Sequence, residues 1–232
     1  MTWDVPKLQS FTDSERLVVL SNLFWEEQTP VLIDSAVTDS GSTPTNYIRA
    51  GMVLVKNSST GRYVAADDAA GDRNTAPSVT ADEAVGTTWA STTHSFYRNG
   101  VLVAQVTLAA TDDSYAEYAT ALNNNAAFAA NFSVSDAGGG VPKITAKDTG
   151  SDVYIRVVSS LATAYGANGK TARGSWADYR VLIQKVLLED LDGTAAHKYG
   201  MAMMRGHFKE SNLLRVTDEA KQVLVARGSR LE

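Results

Sequence analysis

The stretch "RAGMVLVKNSSTGRYVAADD", Arg49 to Asp68, is typical of a β-hairpin. It holds two short apolar runs, "MVLVK" and "RYVAA", separated by the turn-forming segment "NSSTG". Gly61 ends that segment, at a position where a positive φ is easiest for glycine. The stretch carries no residue set that could do chemistry, so it predicts a structural hairpin rather than the wall of an active site.

The composition is that of an ordinary packed globular protein. The chain has 232 residues, 44% of them apolar, and a formal net charge of -5. Because it lacks the positive charge that a phosphate backbone attracts, we expect no nucleic-acid partner. The absence of cysteine excludes disulfides and thiolate metal sites. The start, "MTWDVPKLQSFTDSE", predicts no signal peptide, and no apolar run approaches the roughly 18 residues of a membrane span. We expect a protein made in the cytoplasm, with no membrane partner.

Further β segments return late in the chain, at "RVLIQKVLLEDLD" (Arg180 to Asp192) and "KYGMAMMRGHF" (Lys198 to Phe208). The tail "VTDEAKQVLVARG" predicts a helix that begins at an N-cap of Thr217 or Asp218. The sequence therefore predicts strands both around the hairpin at Arg49 to Asp68 and in the late segment from Arg180 to Phe208.

The middle of the chain predicts a self-contained α+β unit. Asn99-Gly100 is a tight-turn signal between two strand-like runs. The segment "TDDSYAEYATALNNN" predicts a short helix with Thr111 or Asp112 as its N-cap. Three β segments follow: "AAFAANFSVSDAGGG", "PKITAKDTG" and "DVYIRVVSS". The order β-β-α-β-β-β is that of a compact unit with its own core, and the glycine-rich "YGANGKTARGSW" is interpreted as the return linker.

Two apolar groups have alternative interpretations. The cluster "RLVVLSNLFW" (Arg16 to Trp25) is either a helix capped by Thr12 or Asp13, or a strand over Leu17 to Leu20. Its apolar surface needs cover from the chain's own core or from a neighbouring subunit. The methionine group "MAMMRG" (Met201 to Gly206) favours core packing, with a subunit interface as the alternative.

No combination of residues in the sequence predicts an active site or a metal centre. The three histidines, His94, His197 and His207, lie far apart and none has ligand spacing. The turn "EDLDG" (189–193) lacks the rest of a calcium loop. The loop "DAGGGVP" (136–142) lacks the Lys-Ser/Thr of a phosphate loop and is interpreted as a hairpin loop. We therefore expect no enzyme, and no catalytic, cofactor-binding or metal-binding residues.

Four outer segments, taken in order, carry a resemblance to a known family. They are "IRAGMVLVKNSSTGRYVAADDAA", "EAVG", "KVLLEDLDGTAAHKYGMAMMRGHFKESNLL" and "DEAKQVLVARGSRLE". In this order they resemble the head decoration proteins of tailed phages, of the lambda type. The resemblance implies a mainly β (α+β) fold built on a β-tulip-like decoration domain. It also implies a homotrimer on the phage head, with an N-terminal arm that adds a strand to the major capsid protein.

An insertion interrupts this resemblance after Gly86. The sequence therefore predicts an arm at 1–45, a decoration domain at 46–86 plus 185–232, and an inserted ββαβββ domain with linkers at 87–184. The stretch from Val101 to Val158 resembles the small flagellin-hook "IN" repeat, through "VTLAATDDSYAEYATALNNN" and the later "PKITAKDTG". A surface loop tolerates an ordered insertion because the cost of loop closure grows slowly with length.

The resemblance implies a structural virion protein, made in the host cytoplasm, that binds the outer surface of the capsid. As a trimer it would stabilise the lattice of the major capsid protein. Within the arm, Leu17, Val19, Phe24 and Trp25 are predicted to contact the capsid or a neighbouring subunit.

The alternative function is a virion-surface adhesion protein, whose inserted domain binds a glycan or a host surface. Four aromatic side chains distinguish the two functions: Tyr97, Tyr115, Tyr165 and Trp176. Their exposure together on one face of the inserted domain would favour adhesion, and their burial would disfavour it.

Overall fold

The computed structural model describes residues 19–21, 28–42, 47–190 and 194–232. It divides into two compact units, a barrel unit (1–72 and 177–232) and an inserted unit (Arg73–Trp176). Strands make up 38% of the structure and helices 18%, which confirms the predicted mainly β class.

The elements follow one another along the chain as short strands with a few helices between them. In order they are β1 (Val19–Ser21), β2 (Gln28–Ile33), β3 (Tyr47–Ile48), β4 (Val53–Asn57), β5 (Arg62–Ala65), β6 (Ser78–Thr80), a 3-10 turn (Thr87–Trp89), β7 (Thr93–Arg98), β8 (Val101–Thr107), α1 (Tyr115–Asn124), α2 (Ala126–Asn131), β9 (Phe132–Asp136), β10 (Pro142–Ala146), β11 (Tyr154–Ser159), α3 (Ala162–Tyr165), β12 (Lys170–Arg173), β13 (Tyr179–Leu182), β14 (Val186–Leu187), β15 (Lys198–Met203), β16 (His207–Phe208), a second 3-10 turn (Glu210–Asn212), α4 (Asp218–Ala226) and β17 (Arg230–Leu231).

A closed five-stranded barrel forms the centre of the barrel unit, in the order β13-β15-β2-β5-β4. Neighbouring strands are antiparallel except for β2 and β5, which are parallel. The strands β4 and β5 form the hairpin predicted from the sequence, and Gly61 in its loop has a φ of 72°. Val53, Leu54 and Val55 are all fully buried, so both faces of β4 are covered.

The C-terminal helix α4 packs beside the barrel and begins where the sequence predicted. The Thr217 side chain accepts a hydrogen bond from the Ala220 backbone N–H at 3.1 Å, which confirms Thr217 as the N-cap. Ala220, Val223 and Leu224 are the buried face of the helix. Val223 and Leu224 lie three and four residues after Ala220, so the three side chains share one side of the helix, and their burial anchors it.

The inserted unit has two sheets, in the orders β6-β10-β9 and β12-β11-β7-β8. Its core is one apolar cluster drawn entirely from its own residues. The largest fully buried side chains of this core are Trp89, Phe96, Tyr118, Phe128, Phe132 and Tyr165. The predicted tight turn joins β7 to β8, with φ of 50° at Asn99 and 82° at Gly100.

The helix α1 begins at a different residue from those predicted. Its N-cap is Ser114 rather than Thr111 or Asp112, because Ser114 and Glu117 form a reciprocal capping box. The side chain of Asp112 is occupied elsewhere and accepts a hydrogen bond from the Ala109 backbone N–H at 2.7 Å. The N-cap therefore lies two or three residues later than predicted.

Two further segments of the inserted unit differ from their predictions. Residues 126–131 form the helix α2 rather than part of a strand, because Asn125 caps the Phe128 N–H at 3.0 Å and the buried Phe128 holds the helix on the core. The predicted return linker contains the strand β12, which pairs antiparallel with β11. The loop "DAGGGVP" is a hairpin loop between β9 and β10, as predicted.

The boundaries of the inserted unit lie at 73 and 176 rather than at 87 and 184. At the first boundary β6 pairs with β10, and the Val85 N–H donates to the Gly140 carbonyl at 3.1 Å, so both "SVT" and "EAVG" belong to the inserted unit. At the second boundary β13 pairs with β4 and β15, which makes it a barrel strand. These pairings join residues far apart in sequence, and local patterns do not reveal them.

The predicted arm, 1–45, also has a different extent. Residues 28–33 are the strand β2, which lies in the barrel between β15 and β5. Asp39, which follows it, is buried and accepts hydrogen bonds from the Arg49 side chain at 2.7 Å. The residues from 28 onward therefore belong to the barrel unit because their strand hydrogen bonds and apolar burial lie there.

The chain passes between the two units twice, near residues 72–73 and 176–177, and hydrogen bonds within each unit hold these two crossings together. In the barrel unit both crossings bond to Lys56. The Lys56 carbonyl accepts a hydrogen bond from the Asp72 N–H at 2.8 Å, and the Lys56 N–H donates to the Asp178 carbonyl at 3.1 Å. In the inserted unit Thr75 and Ser175 form an isolated antiparallel bridge. In each unit, the point where the chain leaves and the point where it returns are therefore close together, which is the geometry that an insertion requires.

Candidate functional site

A short sheet holds the first described segment of the predicted arm, the strand β1. The backbone of β1 pairs antiparallel with β16, which in turn pairs parallel with β17. Among the predicted contact residues, Val19 lies in β1, opposite Phe208. Leu17, Phe24 and Trp25 lie outside the described residues. Of the two interpretations of the apolar cluster, the structure has a strand at Val19–Ser21.

An exposed apolar patch lies on the outer face of the barrel. Tyr199 on β15 is 69% exposed and lies opposite Leu32 on β2, while Met201 lies opposite the exposed Pro30. We call these four residues the outer patch. Cross-strand partners point to the same side of a sheet, so the four side chains share one surface. An exposed aromatic side chain among apolar neighbours is typical of a contact surface.

A polar network lies where the chain re-enters the barrel unit. Asp178 accepts hydrogen bonds from the Tyr63 hydroxyl at 2.5 Å and from Arg180 Nε at 2.7 Å. Arg227, at the end of α4, approaches the same carboxylate at 3.6 Å and donates to the carbonyls of Ala177 and Tyr179. The network thus connects β5, β13 and α4 around one carboxylate.

The pKa values of this network follow from burial and pairing. Burial acts to raise the pKa of Asp178, but hydrogen bonds from Arg180 and Tyr63 lower it below its ordinary value overall. Burial, together with the bond to that carboxylate, raises the pKa of Tyr63 to about 12. Tyr63 therefore stays protonated as a hydrogen-bond donor, and the arrangement is that of a structural brace with no reactive group.

The histidines of the chain do not come together with acidic side chains as a metal site. Among the described residues, no group of three or more His, Asp or Glu side chains has the geometry to hold a metal ion. His197 lies in the barrel unit with Nδ1 3.9 Å from Asp34, and His207 Nε2 is 2.8 Å from Glu232. His94 is fully buried in the inserted unit.

The four aromatic side chains proposed to distinguish adhesion do not form an exposed face. Tyr165 is fully buried, and its hydroxyl lies 3.1 Å from that of the equally buried Tyr118. Tyr97, Tyr115 and Trp176 are only partly exposed. The exposed large apolar side chains of this unit are Val101 and Leu102, beside the β7–β8 turn. This distribution disfavours an aromatic glycan-binding surface.

Sequence reasoning missed both the outer patch and the Asp178 network. The alternation in "KYGMAM" could have placed Tyr199 beside Met201, but it does not reveal which face points outward. Asp178 carried no local signal, because Tyr63 and Arg227, two of its partners, are distant in sequence.

Comparisons with known proteins found only distant structural likenesses. No protein-family model matches the sequence, and no curated protein matches it. The D2-D3 domains of the flagellar cap protein FliD from Serratia marcescens align with a TM-score of 0.39 and 11% identity, over 76% of this chain and 92% of that one. The FliD D1-D2-D3 domains from Escherichia coli align with a TM-score of 0.35 and 13% identity, over 86% of this chain and 57% of that one. At these TM-scores the likeness supports neither a shared fold nor a shared function. In the described part of the chain, no helix has the length and apolar composition to span a membrane.

Proposed function

We propose that the chain is a structural virion protein that binds the outside of a tailed-phage head as a homotrimer. It stabilises the lattice of the major capsid protein by binding one state of that lattice, which is mass-action stabilisation. At a free concentration 100 times the Kd, binding of this kind stabilises the bound state by about 2.7 kcal/mol per site.

The observation that carries the proposal is the way in which the outer segments fold. The segments at 48–70, 185–214 and 218–232 carry the resemblance to head decoration proteins, and all three lie in the barrel unit. They provide the hairpin, β15 and α4: the hairpin strands and β15 belong to one closed barrel, and α4 packs on the barrel strand β13, although the inserted unit separates the hairpin from the other two in sequence. The fourth segment, "EAVG", lies in the inserted unit and lends no support.

The sheet at β1 supports a role for the N-terminal segment. The strands β1, β16 and β17 form a sheet of short strands, in which β1 occupies one edge. An edge strand has one row of backbone N–H and C=O groups facing away from its partner, which another chain can pair with. Main-chain pairing of this kind gives affinity without any special side chain.

The outer patch supports a contact within the assembled head. Its charged neighbours are paired inside the chain: Lys198 with Asp190, and Arg62 with Asp34. An apolar surface with neutralised surroundings is suited to a protein surface rather than to a charged polymer. Tyr199, with 69% of its surface exposed, has the most area to lose on contact.

The test is co-sedimentation of the purified chain with expanded heads that were prepared without it. We expect saturable binding by the unmodified chain, weaker binding by Tyr199→Ser, and unchanged binding by the control Val225→Ser. Val225 is an apolar residue of α4 that is 54% exposed, so the control removes similar surface elsewhere on the same unit. Failure of the unmodified chain to sediment with the heads would contradict the proposal, and equal loss in both variants would remove the outer patch from it.

A further inference from the structure

One histidine of the chain lies in the core of the inserted unit, enclosed by aromatic rings. His94 on β7 is fully buried. The ring of Trp89 stacks on it, with centroids 5.3 Å apart and an interplanar angle of 20°. Tyr118 from α1 and Tyr165 from α3 meet it edge-on, at 5.3 Å and 6.1 Å. We call Trp89, His94, Tyr118 and Tyr165 the aromatic cluster. It joins three helical elements to the sheet, so its integrity holds much of the unit together.

The hydrogen bonds of Thr92 fix the tautomer of His94. The Thr92 hydroxyl donates its single hydrogen to the Trp89 carbonyl at 2.5 Å. The same oxygen lies 2.9 Å from His94 Nε2 and must therefore accept from that nitrogen. In this assignment Nε2 carries the proton of a neutral ring, and Nδ1 carries the lone pair.

Among the described residues, the other ring nitrogen has no protein partner. Within the described residues, His94 Nδ1 and Trp89 Nε1 are both buried without a hydrogen bond. In the neutral ring His94 Nδ1 is an acceptor and Trp89 Nε1 is a donor, so the neutral ring adds no unpaired donor at Nδ1. Protonation would place a second N–H donor there, without an acceptor, and would add a buried positive charge.

The described side chains that pack on His94 carry no charge that could compensate it. The side chains that face it from each packed element are neutral: Trp89 from the 3-10 turn, Tyr118 from α1, Tyr165 from α3, Val106 from β8 and Ser159 from β11. Burial raises the pKa of both tyrosines, so they do not supply a negative charge. Burial also lowers the pKa of His94 to about 4.

We propose that His94 makes the inserted unit selectively sensitive to acid: protonation of its ring opens the core of residues 73–176 while the barrel unit stays folded. The driving force is the mismatch between a buried imidazolium and the aromatic cluster, which offers neither a counter-charge nor a free acceptor. The unfolded unit accepts the same proton in water without this penalty.

The sign of the effect follows from the two protonation states. The folded pKa of His94 is below the unfolded value of 6.5, so the unfolded unit binds more protons as the pH falls. The stabilisation is therefore fully present above about pH 6.5 and is lost progressively as the pH falls toward 4. The ratio of unfolded to folded inserted unit rises roughly 100-fold between pH 7 and pH 4.

Among the described residues of the barrel unit, no histidine is buried. His197 and His207 lie near the surface, beside Asp34 and Glu232. Burial acts to raise the pKa of Asp39, but hydrogen bonds from Arg49 lower it overall, as pairing does for the pKa of Asp178. The stability that these carboxylates contribute is present above their unfolded pKa of 3.8 and is lost as the pH falls through the lower folded pKa. The window from about pH 6.5 to 4 therefore lies above the range in which these two carboxylates lose their contribution.

Hydrogen exchange on the full chain, followed by mass spectrometry of peptides, measures the two units separately. After correction for the intrinsic exchange rate, we expect peptides from the core of 73–176 to lose about 100-fold in protection between pH 7 and pH 4. Barrel peptides should keep theirs. In His94→Gln the loss should disappear, because glutamine does not titrate, and in the control His197→Gln it should persist.

A second measurement covers the case in which His94→Gln does not fold. Nuclear magnetic resonance of the unmodified chain reports the tautomer and titration of each histidine ring. We expect His94 to remain neutral, with the proton on Nε2, down to pH 5 in the folded state. Titration of His94 near pH 6.5 with the unit still folded, or equal loss of protection in both units, would overturn the proposal.

Discussion

Removal of the inserted unit should leave a folded barrel. The change is excision of Arg73–Trp176, with Asp72 joined to Ala177 through a four-residue Gly-Ser linker. Both crossings bond to Lys56, through the Asp72 N–H at 2.8 Å and the Asp178 carbonyl at 3.1 Å. Both crossings therefore lie within hydrogen-bonding distance of one residue, and a four-residue linker, which extends to about 13 Å, is long enough to join them. All five barrel strands remain in the shortened chain.

The magnitude follows from the cost of loop closure. Lengthening the linker from four residues to eight and then to sixteen should lower the free energy of unfolding by about 0.6 kcal/mol per doubling. A matched control excises 87–184 instead. That excision removes β13, which pairs with both β4 and β15, so it opens the barrel and should abolish folding.

Urea unfolding followed by circular dichroism measures both effects. We expect one cooperative transition for each linker variant of the 73–176 excision, and none for the 87–184 excision. A 73–176 excision without a cooperative transition would refute the reasoning that the barrel unit folds by itself. A rise in the free energy of unfolding when the linker is lengthened beyond four residues would refute the claim that the two crossings are neighbours, because it would show that the short linker is strained.

Three further changes test individual contacts by urea unfolding. Asp178→Asn should lower the free energy of unfolding by roughly 2 kcal/mol, because it leaves Arg180 and Arg227 half-buried without their shared carboxylate. An unchanged urea midpoint would show that the network does not brace the fold. Gly71→Ala should lower the free energy of unfolding by about 1–3 kcal/mol, because an added Cβ would overlap Val55 Cγ1. The control Gly86→Ala should lower it much less, because no atom lies within 4 Å of an added Cβ there. Equal losses in the two variants would contradict this. Ser114→Ala should cost about 1 kcal/mol by removing the capping box of α1, and Ser114→Thr should restore most of it; a loss in both would mean that the hydroxyl is not what matters.

The elements that could be predicted from the sequence are those with a complete local signal. The hairpin of β4 and β5 combines two apolar runs with Gly61, the β7–β8 turn has Asn99-Gly100, and α4 has its cap at Thr217. Each of these depends on residues within one or two turns of the chain. Their backbone conformation is decided locally, so the pattern is sufficient.

The elements that could not be predicted depend on partners distant in sequence. The three-residue strand β6 forms because β10 pairs with it, and β12 forms because β11 does. The sequence placed "SVT", as a β segment, in the decoration domain and "KTAR" in the return linker, because both segments are too short and too polar to identify their partners. The domain boundaries shifted for the same reason, since they depend on which sheet each short strand joins.

The candidate contact surfaces could not be predicted either, because they also depend on residues distant in sequence. The sequence predicted contact residues in the arm, while an exposed apolar patch of the described chain lies at Tyr199 and its neighbours on β2 and β15. Periodicity places Tyr199 and Met201 on one face, but only the closure of the barrel decides that this face points outward. His94 likewise had no sequence signal, because its neighbours come from five other elements.

Scanning calorimetry of the heads measures whether the chain stabilises them. Expanded heads prepared without the chain are heated alone and with increasing amounts of it. We expect the temperature at which the heads come apart to rise with added chain and then to saturate, as mass action requires. The 73–176 excision should give the same rise. An unchanged temperature at saturating chain, with the protein itself folded, would show that the chain does not stabilise the head.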